Sequence, residues 1–177
     1  MTGAGFTHRS IELMGFAMIL FYFTLFHSVI ALIALASGLM AVAALLGAHV
    51  QRFWTPLFLV TAAGTTATGF MFPLPGITPA VATGIVATLV FAAMLVARLR
   101  GFAGLWRGVY LGSFVAQVYF LAFVAVAQAF TKIPVLQAAA PTLSEPPFAA
   151  SQAIMLALFV GFGLAVVRGR RAPTAVA

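Results

Sequence analysis

Residues 13–48 contain no aspartate, glutamate, lysine or arginine, and this uncharged run constrains the fold more than any other feature. The run is 36 residues long (13 through 48), whereas one membrane-spanning helix needs about 20, and two with a turn need about 38 or more. It holds no proline and no cluster of turn residues, which favours one long helix over a hairpin. We expect the spanning part to cover about residues 22–46.

The scarcity of charge places the whole chain in a membrane. Only 6% of the residues are charged and 64% are hydrophobic, whereas soluble domains are about 25% charged. A surface that faces water cannot be built from so few charges. We therefore predict a single all-α domain that is a polytopic membrane helix bundle. Its partner is the lipid bilayer. The apolar run continues past Ala34-Leu35-Ala36, which resembles a signal-peptide cleavage site, so a retained anchor is predicted.

Turn signals divide the rest of the chain. Thr55-Pro56 and Thr78-Pro79 each combine a capping residue with a proline suited to a first helical turn, and Gly76 permits a positive φ. Gly64-x-x-x-Thr68 places small residues where helices can pack closely. We predict five spans, at about residues 22–46, 54–72, 79–97, 106–130 and 148–167, with exposed tails at 1–12 and 172–177.

The basic residues indicate the orientation. In the five-span arrangement one side carries seven of them: Arg52, Arg98, Arg100, Arg107, Arg168, Arg170 and Arg171. The other side carries only Arg9 and Lys132. Positive residues accumulate on the cytoplasmic side, so the N-terminus is predicted outside and the C-terminus inside a bacterial cytoplasmic membrane. The net charge of +7 therefore predicts contacts with anionic lipid headgroups at the cytoplasmic arginine clusters and no nucleic-acid partner.

A polar segment, residues 128–148, interrupts the second half of the chain on the predicted outer side. Ser144 can cap the last helix there, and Pro146-Pro147 fit its first turn. Polar groups at membrane depth are usually functional, so an outer ligand or docking site is predicted from His27, Gln128, Lys132, Glu145 and Gln152. The competing interpretation is that Lys132 and Glu145 are solvated, or pair across the loop.

A second polar pattern follows the predicted fourth span. Tyr110, Gln117 and Gln128 are spaced so that they return close to one helical face, which should face the bundle interior. Hydrogen bonding between helices is the ordinary explanation for such a stripe, and a polar path through the bundle is the alternative.

Cofactor and catalytic signals are weak. There is no cysteine, which excludes disulfides, thiolate metal sites and a cysteine nucleophile. His27 and His49 lie on one helix about 33 Å apart, so they cannot both ligate the iron of one haem within a single chain. A haem held by one histidine, or shared between two copies, stays open. No metal site, catalytic residue or cofactor is predicted.

Two outer segments carry a resemblance to a family. TGFMFPLPGITPA (68–80) and QAFTKIPVLQAAAPTLSEPPF (128–148) resemble an uncharacterised family of small bacterial multi-span inner-membrane proteins. The resemblance covers roughly residues 54–168 and is most specific in SEPPF. It implies the same multi-span layout and supplies no catalytic residues. Its members often carry an amide where this chain has Leu121, which implies a drier interior here and weakens the polar path.

Three functions follow as hypotheses. The first is a non-enzymatic membrane protein whose outer loops bind a ligand or dock a partner, including a second copy or another membrane protein. The second is a small transporter or permease component with a polar path past His27, Gln117 and Gln128. The third is a haem- or quinone-associated redox subunit.

Overall fold

The protein folds as a bundle of helices. A computed structural model describes residues 3–47, 53–73, 76 and 78–169, with side chains from residue 12 onward. The helices are α1 (Gly3–Leu46), α2 (Trp54–Gly69), α3 (Pro79–Leu99), α4 (Leu105–Lys132), α5 (Pro134–Ala139) and α6 (Pro146–Arg168). The described residues contain no strand, so the prediction of an all-α bundle is confirmed. His49, Gln51, Arg52, Arg170 and Arg171 lie outside the described residues.

The uncharged run forms one uninterrupted helix. α1 contains 44 residues and is therefore about 66 Å long at 1.5 Å per residue. It ends where Gly47 adopts a φ of +117°, a conformation that favours glycine. The helix already begins at Gly3, within the segment predicted to be an exposed tail.

Among the described residues, four helical stretches are long and apolar enough to cross a membrane: Glu12–Leu46, Pro79–Leu99, Leu105–Lys132 and Pro146–Arg168. The chain is accordingly an integral membrane protein. α2 is shorter, with 16 residues and a length of about 24 Å. Its start also differs from the prediction, because Phe53 occupies the N-cap position and Thr55 lies buried inside the first turn instead of capping it.

The turn before α3 follows the sequence signals. Gly76 has a φ of +141°. The side chain of Thr78 accepts a hydrogen bond from the backbone N–H of Val81 at 3.3 Å, and Pro79 begins the helix. At the start of α6 the prolines occupy the first turn as predicted, but Glu145 and not Ser144 holds the N-cap position, and neither side chain caps the helix.

α4 is the central helix, packing against α1, α3, α5 and α6. α1 packs mainly against α2, whereas the consecutive helices α2 and α3 share few contacts. α1 comes close to α2 and α4 at Gly38, where an added Cβ would lie 2.8 Å from Val118 on α4 and 2.9 Å from Phe58 on α2. Phe58 also packs on Phe114, with ring centroids 4.7 Å apart. Glycine is therefore what lets α1, α2 and α4 meet at one point.

Candidate functional site

The charged groups of the bundle separate towards its two ends. At one end, Arg107 donates hydrogen bonds to the carbonyls of Val167 and Gly169, at 3.3 and 2.5 Å. Arg100 lies over the ring of Trp106 at 5.1 Å. Arg98 and Arg168 belong to the last turns of α3 and α6, which reach the same end. Lys132 and Glu145 lie at the opposite end, called the outer end below after the orientation predicted from the sequence.

His27 lies half-buried on the face of α1 that packs against α2. Its Nδ1 atom is 2.7 Å from the hydroxyl oxygen of Thr68. Its ring stands edge-on to Phe72, with centroids 5.2 Å apart, and its Cε1 atom lies 3.6 Å from the position that a Cβ would take at Gly69, an ordinary packing distance. Sequence reasoning treated Thr68 only as a small residue in a packing motif and missed it as the partner of His27.

The hydrogen-bond network assigns the tautomer of His27. The Thr68 hydroxyl has one hydrogen, which it donates to the carbonyl of Gly64 at 2.7 Å. Thr68 Oγ1 is then an acceptor towards the imidazole, so Nδ1 carries the proton and donates it. In the neutral ring the lone pair is left on Nε2, the nitrogen free to accept a hydrogen bond or bind a metal.

The other predicted site residues belong to the α4–α6 side of the bundle. Gln128 and Lys132 are exposed near the end of α4. Gln152 on α6 donates from Nε2 to the carbonyl of Phe123 at 3.1 Å, and its Oε1 atom is buried without a partner. No hydrogen bond or ion pair joins any two of His27, Gln128, Lys132, Glu145 and Gln152 within the described chain.

Glu145 organises the loop between α5 and α6. Its carboxylate accepts hydrogen bonds from the backbone N–H and the hydroxyl of Thr142, at 3.3 and 2.9 Å, and from the backbone N–H of Ser144 at 3.1 Å. Desolvation raises the pKa of the Glu145 carboxyl, and these hydrogen bonds outweigh it, so the pKa lies below its ordinary value of 4.5. The loop is therefore built around this carboxylate, which makes no ion pair with Lys132.

Only two of the three residues of the predicted polar stripe on α4 are buried. Tyr110 and Gln117 are 1% and 2% exposed, as their spacing predicts, but Gln128 is exposed and leaves the stripe. The Gln117 Oε1 atom is buried without a hydrogen-bond partner among the described residues, whereas the Tyr110 hydroxyl lies beside the guanidinium of Arg98 on α3. Interhelical hydrogen bonding, the ordinary explanation for the stripe, does not engage the Gln117 Oε1 atom. Buried unpaired polar atoms are rare in native proteins and call for an explanation such as ordered water.

The structure also contains a cleft that the sequence did not indicate. It has a volume of about 320 Å³ and lies between α1, α4 and α6. Its walls include Leu39, Ala122, Ala125, Ala129, Met155 and Phe159, and every lining residue is apolar. Each wall is an ordinary apolar helix face on its own, so no sequence pattern marks the gap between the three faces.

No group of three or more His, Asp or Glu side chains that could hold a metal ion occurs within the part of the chain that the structure describes. The haem- or quinone-associated hypothesis stays a prediction, which a visible absorption spectrum of the purified protein tests. Comparison of the chain with protein-family models, with curated proteins and with solved structures gives no match.

Proposed function

We propose that the chain is a protein of the bacterial cytoplasmic membrane whose outer end forms a small surface for binding or partner docking. The observation that carries the proposal is the loop from Lys132 to Glu145. Three donor groups fix the Glu145 carboxylate, and a short helix, α5, forms within the loop. A plain solvated connector would not need this internal structure.

The exposed groups of the loop support docking. The described part of the outer end leaves the Lys132 ammonium exposed, and Val135 and Ile133 are 77% and 47% exposed. A positive charge beside apolar side chains on an ordered segment is a combination that partners recognise, since buried apolar contact supplies affinity and charge supplies orientation.

The orientation belongs to the same proposal. α2 runs antiparallel to α1. Phe58, early in α2, contacts Gly38, which is late in α1, whereas Thr68, late in α2, contacts His27, which is earlier in α1. We infer that α2 crosses the membrane as a fifth span, which places the N-terminus outside and the C-terminus inside. A reporter enzyme fused at the C-terminus should then be cytoplasmic, and one inserted after Ala139 should be external. Both reporters in one compartment would rule this orientation out.

A site-specific photo-crosslinker tests the docking surface in intact cells. Val135 is the test position, and Leu105, 81% exposed at the opposite end, is the matched control. We expect one discrete protein adduct from Val135 and none from Leu105, and we expect Lys132→Glu to reduce the adduct. Equal adducts from both positions, or no effect of Lys132→Glu, would contradict a specific outer surface.

A second candidate function is supported by the Gln117 Oε1 atom, which is buried without a partner among the described residues. In a small transporter component this atom would contact water along the interior of α4. Proteoliposomes with a pH-sensitive dye inside test this function. We expect a transporter to collapse an imposed pH gradient faster than empty liposomes do, and Gln117→Leu to abolish the difference.

A further inference from the structure

We propose that the cleft between α1, α4 and α6 binds one phospholipid of the outer leaflet, with an acyl chain inside the cleft and the phosphate beside Lys132. This site shares Lys132 with the proposed docking loop, but its cleft faces the lipid and is formed by helices outside the loop, so the cleft-filling variants below test it independently of docking. Three features of the cleft support this assignment: its apolar lining, its depth and the charge at its outer end.

The apolar lining of the cleft favours hydrocarbon over water as its occupant. Its volume of about 320 Å³ is large enough to hold several water molecules. Water does not stay in such a space, because each molecule needs two to four polar partners and the lining residues offer none. Leu39 at the edge is 43% exposed, so the cleft opens sideways towards the lipid. A lipid tail can therefore enter directly from the bilayer.

The depth of the cleft matches one leaflet. Its α4 wall extends from Ala122 to Ala129, and α4 ends at Lys132. Ten residues separate Ala122 from Lys132, which corresponds to about 15 Å along the helix. Half of a hydrocarbon core of about 30 Å is also about 15 Å. An acyl chain that fills the cleft thus brings its headgroup to the level of Lys132.

The positive charge of Lys132 at the outer end of the cleft favours a phosphate headgroup. Lys132 follows Ala125 by seven residues, or two helical turns, so the two lie on nearly the same face of α4. The Lys132 side chain is exposed and has no ion-pair partner among the described residues, while the Glu145 carboxylate is held by Thr142 and Ser144. A lysine ammonium at the end of an apolar cleft is complementary to a phosphate that is attached to a hydrocarbon tail.

Native mass spectrometry of the full-length protein, released from mild detergent, tests the site with dioleoyl phosphatidylglycerol as the probe. Dioleoylglycerol, which has the same tails and no phosphate, is the comparison ligand. We expect the phospholipid to be retained more strongly by about fivefold, the contribution of one lysine near a lipid phosphate. Lys132→Gln should abolish this preference and Lys132→Arg should keep it. Equal retention of the two lipids by the unchanged protein would overturn the phosphate assignment.

Filling the cleft tests the tail assignment. Ala125→Phe places a large side chain on the α4 wall, and we expect it to eliminate the retained phospholipid. Ala157→Phe is the matched control, since Ala157 is exposed on α6 and does not line the cleft. Leu39→Trp closes the cleft from its exposed edge and serves if Ala125→Phe does not fold. Phospholipid retention by a folded cleft-filled variant, or displacement of the lipid by an equal amount of an isoprenoid quinone, would overturn the proposal.

Discussion

His27 donates a hydrogen bond from Nδ1 to the hydroxyl oxygen of Thr68, and this 2.7 Å contact links α1 to α2 near the outer end of the bundle. The bond fixes the imidazole tautomer because the only hydroxyl hydrogen of Thr68 is donated to Gly64. We expect Thr68→Val, which keeps the shape and removes the oxygen, to shift His27 towards the Nε2–H tautomer. The ¹⁵N chemical shifts of labelled histidine measure this directly.

Thr65→Val is the control for that measurement, because the Thr65 hydroxyl donates to Thr61 on its own helix and does not contact His27. It should leave the His27 tautomer unchanged. Thr68→Val should also lower the free energy of unfolding by about 1 kcal/mol, the net contribution of one hydrogen bond. The same Nδ1–H signal in both variants would show that Thr68 does not set the tautomer.

Gly38 is predicted to tolerate no side chain. A Cβ there would lie 2.8–2.9 Å from Val118 and Phe58, so Gly38→Ala should destabilise the fold by about 1–3 kcal/mol through overpacking. Gly112→Ala on α4 is the control, since nothing lies within 4 Å of its Cβ position. Alanine should stabilise that helix by up to about 1 kcal/mol. Thermal unfolding in detergent, followed by circular dichroism, should separate the two variants in opposite directions.

Two substitutions test whether the turn before α3 depends on the backbone conformation of Gly76. Gly76 has a φ of +141° and open space around it, so Gly76→Val costs only backbone strain, on the order of 1–3 kcal/mol. Pro79→Ala should cost less, about 0.4–1 kcal/mol, because proline in a first turn mainly restricts the unfolded chain. Equal midpoints of thermal unfolding for the two variants would show that the turn does not depend on the conformation of Gly76.

The Glu145 loop should loosen in acid. The pKa of Glu145 is lower in the folded protein than its ordinary value of 4.5. Its carboxylate therefore stabilises the loop fully at pH above that value, and the stabilisation is lost as the pH falls through the lowered pKa. We expect hydrogen-exchange protection of the Thr142 and Ser144 amides to fall over that range. Glu145→Gln should show low protection at every pH, and pH-independent protection in the unchanged protein would contradict this role.

Local sequence signals predicted much of the fold. The absence of proline and of a turn cluster from residues 13–48 indicated one long helix, and the structure has one helix over Gly3–Leu46. Thr78, Pro79 and Gly76 act within a few residues of each other, so the turn could be predicted from its own composition. The start of α2 was predicted wrongly for Thr55 because burial against neighbouring helices placed this residue inside the first turn.

The details of the candidate site could not be predicted in the same way. Thr68 is 41 residues from His27 in the sequence, so their contact depends on how α1 and α2 align, which composition does not determine. The cleft depends on three helices and is formed by residues that are ordinary on each one. Glu145 lies at the start of α6, but its carboxylate binds donors of the preceding loop, Thr142 and Ser144, and this network was not predicted.

The three-helix junction at Gly38 has a consequence for how the protein assembles. Most of the packing joins helices that follow one another, α1 with α2 and α3 with α4, and then α6 with α4. Such hairpins can form in the membrane as the chain is synthesised from its N-terminus, because their contacts are close in sequence. The approach of α1 to α4 at Gly38 is the long-range step that joins the first hairpin to the later helices. A side chain at Gly38 would therefore leave both hairpins inserted while weakening the last association between them.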